Sequence, residues 1–144
     1  MISLRKVKLE DWPLLLDWRN DEETRKNSHT TEPVAEASHK TWLSKVLANP
    51  STQLYIAEED GIPVGTTRAD YHESQNDYLL SWTIAPHARG KGIGKLMVKA
   101  MAEMLNGRIR AEIKNGNIAS IKIAEFAGLS LRKEEHQILY FSNY

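Results

Sequence analysis

The sequence predicts a mixed α/β fold in which helices cover the faces of a sheet. Segments with an apolar residue at every second position, typical of strands, alternate with segments whose apolar residues recur every three or four positions, as in helices. Dipeptides that favour turns, such as Asp60-Gly61 and Asn106-Gly107, separate these segments. The predicted element order is β, α, α, β, β, β, α, β, α, β, β.

The N-terminal third carries one strand and two helices. Residues 2–9 alternate as a strand, and Asp11 precedes a helix that we expect to run to about Thr24. The polar segment 25–35 is predicted as a loop, and a second helix spans about 36–48. Most of the sheet is therefore expected from the rest of the chain.

The remainder supplies the other strands and two further helices. Residues 78–85 are almost continuously apolar, which is typical of a central strand buried on both faces. Residues 93–105 place their apolar side chains on one face and form the clearest helix. The other predicted elements are strands at 53–59, 62–71 and 109–114, a helix at 117–127 that ends at Gly128, and strands at 129–133 and 137–141.

Length and composition narrow the class of protein. The chain has 144 residues, which suits a single domain spanning 1–144. Its 19 basic and 19 acidic residues balance, so nucleic acid is not an expected partner. The absence of cysteine excludes disulfides, thiolate zinc sites and a cysteine nucleophile. Neither a signal peptide nor a membrane-spanning apolar run is apparent, so we expect a cytoplasmic protein with no membrane partner.

The segment Pro86–Lys95 carries the strongest chemical signal. It joins the apolar strand to the amphipathic helix and contains Gly90, Gly92 and Gly94. Glycines let a ligand approach the backbone closely, and the start of a helix offers unpaired N–H groups. Lysine and arginine side chains add positive charge to this segment, which we call the glycine turn. We therefore expect a phosphate site there.

Two nucleotide-binding motifs do not fit the glycine turn. A P-loop requires G-x-x-x-x-G-K-[ST], but the interval from Gly90 to Gly94 is one residue too short, and Leu96 replaces the hydroxyl residue. A dinucleotide-binding turn requires G-x-G-x-x-G near the first strand, whereas Lys95 occupies the third glycine position and the turn lies late in the chain. A basic turn without a ligand is the remaining alternative.

The turn instead contains the pattern Arg-x-x-Gly-x-Gly, formed by Arg89, Gly92 and Gly94. This pattern resembles the acetyl-CoA pyrophosphate signature of the GNAT superfamily of N-acetyltransferases. The segment Asn117–Leu129 is similar to a second stretch of that family, and Ser3–Arg5 and Leu16–Asp21 are similar to its N-terminal part. The resemblance implies a central, mostly antiparallel sheet flanked by about four helices. It also implies an N-acetyltransferase that uses acetyl-CoA as co-substrate and no metal.

By this resemblance, acetyl-CoA would lie along the apolar strand and the glycine turn. In the family this strand separates from its neighbour at a bulge, where the backbone of Trp82, Thr83 and Ile84 would contact the pantetheine arm and the acetyl carbonyl. Asn117 would bind the pantetheine, although a helix N-cap explains this asparagine equally well. The pyrophosphate would be held by Arg89, Gly90, Lys91, Gly92, Ile93, Gly94 and Lys95.

Two positions that usually carry the chemistry of the family differ in this chain. The tyrosine that often protonates the leaving thiolate corresponds to Ala124, and Ser120 resembles the serine that takes this role in Rim-type protein N-terminal acetyltransferases. A structural serine bonded to a helix carbonyl is the alternative. Leucines replace the usual glutamate base, so we expect His72, or secondly His39, to take a proton from the amine.

The predicted acceptor is a primary amine. The segment Leu16–Asp21 resembles acetyltransferases that modify amino sugars on nucleotide carriers and overlaps with the Rim-type group. The alternatives are a peptide α-amine, a polyamine-like amine, and a non-catalytic acyl-CoA-binding domain of the same fold. A monomer and a homodimer are both compatible with the sequence. The candidate acceptor contacts are Arg19, Arg25 and His39 for a phosphate, and Trp42 or Trp18 for stacking on a sugar or base.

Overall fold

The computed structural model describes residues 1–144 and contains seven strands and five α-helices. None of the helices combines the length and the apolar character that crossing a bilayer requires. The strands are β1 (Ile2–Lys6), β2 (Thr52–Glu59), β3 (Ile62–His72), β4 (Asp77–Ile84), β5 (Ile109–Lys114), β6 (Ser130–Glu135) and β7 (Ile138–Ser142). The helices are α1 (Trp12–Asn20), α2 (Glu22–Lys26), α3 (Glu36–Ala48), α4 (Ile93–Leu105) and α5 (Ile118–Phe126).

All seven strands belong to one sheet with the order β1-β2-β3-β4-β5-β7-β6. Every neighbouring pair is antiparallel except β4 and β5, which run parallel and are connected through α4. The predicted mixed α/β fold, the mostly antiparallel sheet and the order of elements are therefore confirmed. The additions to the predicted order are the short helix α2 and two single-turn 3-10 helices, Leu9–Asp11 and Pro86–Ala88.

β4 and β5 are paired only where both strands begin. Their ladder consists of two residue pairs, which are Tyr78 with Ile109 and Leu79 with Arg110. At this closed end, Arg110 Nε donates to Oδ2 of the fully buried Asp77 at 2.9 Å. The strands then diverge, so the edge of β4 that faces β5 has no strand partner beyond Leu79.

The divergence makes β4 less buried than its apolar sequence predicted. Asp77 and Leu80 are buried, Ser81 is exposed, and the other residues are half-buried. The open edge of the strand and side chains from both of its faces line a cavity, because β5 diverges from β4 there. The prediction of a strand buried on both faces is therefore wrong.

Helices cover both faces of the sheet. α4 packs against β1, β3 and β4, and a Cβ added to Gly65 of β3 would lie 2.9 Å from the Met97 sulfur, so this glycine permits the close approach. Side chains alternate along a strand, so Arg68 of β3 points to the opposite face. There its guanidinium lies 5.6 Å from the ring centre of Trp42 in α3.

The first predicted helix is interrupted at Asp21. α1 ends at Asn20, and Asp21 adopts φ −56° and ψ 137°, which is not helical. Its carboxylate accepts a hydrogen bond from Thr24 N at 3.2 Å and so caps α2. The prediction of one helix to Thr24, followed by a loop, is wrong because this capping residue starts a new helix.

Candidate active site

A cavity of about 1050 Å³ lies where β4 separates from β5. Residues of α1, α2 and α3 form one wall, and the glycine turn with α5 forms another. Residues of β3, β4 and β5 complete the lining. The structure thus brings the predicted cofactor segments and the predicted acceptor helices to the same space.

The glycine turn has backbone N–H groups without partners in the protein. Gly90 and Gly92 both have φ 76°, a left-handed conformation that residues with a Cβ rarely adopt. No N–H group from Gly90 to Lys95 donates to a protein acceptor, and Gly92, the N-cap residue of α4, provides no side-chain cap. Such groups at the start of a helix bind phosphate, so the residues present fit the pyrophosphate of CoA.

Gly94 also has a packing role, which the sequence did not indicate. A Cβ at this position would lie 2.5 Å from Cδ1 of Ile123 and 3.0 Å from Cδ1 of Ile84. Because Gly94 lies buried in the first turn of α4, its missing side chain allows this turn to sit close to α5 and β4.

The basic side chains of the turn have different surroundings. Lys95 lines the cavity, whereas Lys91 is exposed and does not. Arg89 lines the cavity, but its guanidinium pairs with Asp21 and donates to Thr24 Oγ1 at 3.1 Å. The observed partners of the Arg89 side chain thus lie at the start of α2. A contact between this side chain and the pyrophosphate stays a prediction.

Trp82 and Ser120 connect β4 with α5. Trp82 and Ile84 point toward α4 and α5, so Ser81 and Thr83 point to the other face. Trp82 Nε1 donates to Ser120 Oγ at 3.2 Å, and both residues line the cavity. The hydroxyl proton of Ser120 remains free for another acceptor, because an indole N–H is only a donor.

Asn117 caps α5, as the sequence predicted. Its Oδ1 accepts from Ser120 N at 3.3 Å, and its side chain also lies at the cavity. A contact with pantetheine stays a prediction. Ala124, the position of the family tyrosine, is fully buried and outside the cavity, and no tyrosine lines this space. Ser120 is thus the hydroxyl that α5 contributes to the cavity.

The two candidate base histidines lie in different places. His72 ends β3, pairs with Asp77 across the β3–β4 hairpin and does not line the cavity, so the structure gives it no support as a base. His39 of α3 lines the cavity, is 3% exposed and has no partner at Nε2. Burial lowers the pKa of His39, outweighing a contact with the Trp12 backbone that raises it. Its imidazole is therefore neutral near pH 7 and can accept a proton.

β5 contributes a carboxylate that sequence reasoning missed. Glu112 lines the cavity, with one oxygen 3.6 Å from His29 Nε2 and the other accepting from Arg110 Nη1 at 3.1 Å. His29 lies between α2 and α3 and also lines the cavity. Alternation along residues 109–114 indicated a polar face for Glu112, but only the divergence of β4 from β5 opens that face to the site.

Arg19 and Arg25 both bind the loop that follows α2, and only Arg19 reaches the cavity. Arg19 Nη2 donates to the Thr30 carbonyl at 2.9 Å, whereas its Nη1 is buried without an acceptor. Burial and the nearby charge of Arg25 lower the pKa of Arg19. Arg25 donates to the carbonyls of Asn20 and Thr31, so the structure supports a role for it in the loop and not the predicted acceptor contact.

The two candidate tryptophans differ in exposure. Trp42 is 38% exposed at the cavity, with its ring centre 5.3 Å from that of His39. Trp18 also lines the cavity but is only 4% exposed and packs in the core. Trp42 therefore has a free surface for stacking, and Trp18 mainly stabilises the fold.

The sequence matches a known protein family. The family model described as an acetyltransferase (GNAT) domain matches residues 2–130, so the chain belongs to the GNAT acetyltransferase family. The predicted class of enzyme, an acetyltransferase, is thereby confirmed. A search of curated proteins found no match to the sequence.

Solved structures share the fold at low sequence identity. The aminoglycoside acetyltransferase AAC(6')-Ib with coenzyme A and kanamycin has a TM-score of 0.84 at 20% identity, over 99% of this chain and 94% of that chain. The spermidine N-acetyltransferase of Vibrio cholerae with CoA and spermine has a TM-score of 0.84 at 13% identity, over 98% and 92%. A domain from Methanocaldococcus jannaschii has a TM-score of 0.84 at 21% identity, over 99% and 97%.

Proposed function

We propose that this chain transfers the acetyl group of acetyl-CoA to a primary amine, and that residues 1–144 form one catalytic domain. One observation carries the proposal: a single cavity contains the unpartnered N–H groups of the glycine turn, the open edge of β4, His39 and Ser120. Coenzyme A in the related AAC(6')-Ib and spermidine acetyltransferase structures supports the same co-substrate.

The glycine turn and β4 would hold different parts of acetyl-CoA. The N–H groups between Gly90 and Lys95 suit the pyrophosphate, because the positive end of α4 reinforces them. Backbone groups of Trp82 and Ile84 on the open edge of β4 would bind the pantetheine arm as a neighbouring strand would, whereas those of Thr83 face β3.

His39 would act as the general base of the reaction and Ser120 as the general acid. The amine nitrogen attacks the thioester carbonyl carbon, so that a C–N bond forms and the C–S bond breaks. Neutral His39 takes the proton that the amine loses, and the Ser120 hydroxyl gives a proton to the departing thiolate and regains one from solvent. The other cavity-lining histidine, His29, is 61% exposed in its side chain and lies beside Glu112.

The acceptor would be the amine of an amino sugar linked to a nucleotide. Arg19 supports an anionic acceptor, since its buried Nη1 lacks a partner and no carboxylate lies within 4 Å of it. A buried unpaired donor is costly unless a ligand satisfies it, and a phosphate would do so. The exposed Trp42 ring suits stacking on a sugar or base.

The charges of the cavity disfavour a polycation such as the kanamycin or spermine of the related structures. Its acidic side chains are Glu23 and Glu112, and each already lies within 3.4 Å of an arginine. Its basic side chains are Arg19, Arg68, Arg89, Lys95, Lys114 and Lys122.

A thiol-release assay with acetyl-CoA tests the proposal. The panel contains nucleotide-linked amino sugars, short peptides with a free N-terminus, and polyamines. We expect release of CoA thiol with the nucleotide sugars, and a KM for that acceptor that Arg19→Gln raises at least tenfold while the KM for acetyl-CoA is unchanged. Arg25→Gln is the matched control, because Arg25 also carries a positive charge and binds the loop after α2 but does not line the cavity. Binding of CoA without thiol release from any amine would indicate the non-catalytic alternative.

A further inference from the structure

Arg89 bridges the glycine turn and the start of α2. Its guanidinium pairs with the Asp21 carboxylate, donates to Thr24 Oγ1 at 3.1 Å and lies 3.4 Å from Glu23. The arginine and Asp21 are separated by 68 residues in sequence, and both side chains are largely withdrawn from solvent, at 32% and 22% exposure.

Asp21 has two functions at once. One of its carboxylate oxygens accepts from Thr24 N and caps α2, and the same oxygen receives the Arg89 guanidinium. The hydrogen bond with Arg89 is the main reason that the pKa of Asp21 is lowered. The residue that begins α2 is therefore also the residue that attaches α2 to the turn.

We infer that Arg89 is a positioning residue that fixes the acceptor wall of the cavity to the cofactor turn. α2 and the residues after it contribute Thr24, Asn27 and Ser28 to the lining. With Nη2 bonded to Asp21 and Thr24 and Nη1 beside Glu23, the Arg89 side chain holds that wall in place, and phosphate binding falls to the N–H groups of the turn and to Lys95. This inference rests on the proposed function, which assigns the turn to acetyl-CoA and α2 to the acceptor.

The two roles of Arg89 predict different kinetics. If the Arg89 side chain bound the CoA phosphates, it would lower the KM for acetyl-CoA, and substitution of Asp21 would not change that effect. A positioning residue lowers the KM for the acceptor, and its effect depends on Asp21, because the two side chains act as one unit.

The experiment compares Arg89→Gln, Asp21→Asn and the double variant with Lys95→Gln, a cation of the same turn without a carboxylate partner. We expect Arg89→Gln and Asp21→Asn each to raise the acceptor KM about tenfold, and the double variant to raise it no further. The Kd for CoA, from calorimetric titration, should change less than twofold in these proteins and should rise at least fivefold in Lys95→Gln. Exchanging the partners, Arg89→Asp with Asp21→Arg, should recover part of the acceptor KM.

Two results would overturn the inference, and they differ in what they imply for the proposed function. If Arg89→Gln weakens CoA binding as Lys95→Gln does, while Asp21→Asn has no effect, Arg89 is a phosphate ligand and the inference is wrong on its own. If the wild-type protein binds no CoA, or binds CoA and acetylates no amine of the panel, the proposed function is wrong and the inference is overturned with it.

Discussion

The indole N–H of Trp82 donates to the hydroxyl oxygen of Ser120 at 3.2 Å, across the gap between β4 and α5. This bond occupies one lone pair of the serine oxygen and directs the hydroxyl proton elsewhere. Ser120 also gives its backbone N–H to the cap residue Asn117, so both its backbone and its side chain are held. A serine fixed in this way can donate a proton with little loss of side-chain entropy.

Substitution of Ser120 tests its role as the acid. Ser120→Ala should lower kcat about tenfold to a hundredfold, the lower part of the range for positioned proton transfer, because a thiolate is already a good leaving group. The KM for acetyl-CoA should change little, as expected for an interaction made mainly in the transition state. Full kcat in this variant, in a reaction limited by chemistry, would assign the proton to water.

Trp82→Phe removes the donor to Ser120 and keeps an aromatic ring in the core. We expect kcat to fall about twofold to tenfold, the worth of one neutral hydrogen bond. In a Ser120→Ala background the same substitution should have no further effect on kcat. An equal effect in both backgrounds would mean that Trp82 acts on the reaction independently of the serine.

Stability should depend on the protonation of His39. Its pKa is lowered by burial, so the unfolded chain binds a proton near pH 6.5 while the folded protein does not. The unfolded state then holds more protons, and the free energy of unfolding falls as the pH drops below about 6.5. Chemical denaturation over about three pH units, from about 5 to 8, measures this dependence. The free energy of unfolding should change less with pH in His39→Gln than in the wild-type protein.

His39 should also determine the acid limb of activity. We expect kcat/KM for the acceptor to fall with an apparent pKa below about 6.5, and His39→Gln to remove that limb together with most of the activity. His72→Gln should behave as wild type because His72 lies outside the cavity. If His72→Gln instead lost the acid limb of the pH profile, His72 would be the general base, as the sequence first suggested.

The two glycines of the RxxGxG pattern should respond differently to valine. Gly92→Val should weaken CoA binding at least tenfold, about 1.4 kcal/mol, since the side chain stands where phosphate approaches the backbone. Gly94→Val should instead lower the free energy of unfolding by about 1–3 kcal/mol, through contacts with Ile123 and Ile84.

Gly61→Val controls for backbone strain in that comparison. Gly61 has φ 79° and open space around its Cβ position, like Gly92, but lies in the β2–β3 hairpin outside the cavity. Both variants should lose similar stability, and calorimetric titration should find weaker CoA binding only in Gly92→Val. Equal CoA affinities in the two variants would contradict the phosphate site.

Asp77 should stabilise the closed end of the β4–β5 pair. Its fully buried carboxylate accepts from Arg110 Nε and from the Tyr144 hydroxyl. Asp77→Ala would leave the half-buried guanidinium of Arg110 with Glu112 alone, so we expect the free energy of unfolding to fall by about 3–5 kcal/mol. Tyr144→Phe removes one hydrogen bond to the carboxylate and should cost about 1.5–3 kcal/mol. An unchanged midpoint for Asp77→Ala in denaturant would contradict this role.

Local signals in the sequence predicted most of the elements and their caps. The apolar periodicity of residues 93–105 and the cap residues Asn117 and Gly128 depend on neighbours within a few positions, and the structure contains them as expected. The glycine turn was predictable for the same reason, since positive φ and free N–H groups are properties of a short segment. The interruption at Asp21 was missed, because Leu16–Asp21 and the residues that follow also fit one continuous helix.

Only the tertiary structure decided which side chains share the cavity. The separation of β4 from β5 depends on two strands joined through α4. It opens Glu112 and the second half of β4 to the cavity, although the apolar sequence of β4 indicated a fully buried strand. The same holds for Arg89, which pairs with Asp21 across 68 residues, and for His39 and His72, which the sequence could not separate. Sequence patterns record whether a residue prefers a helix, a strand, the interior or water, whereas the meeting of distant side chains depends on how the layers pack.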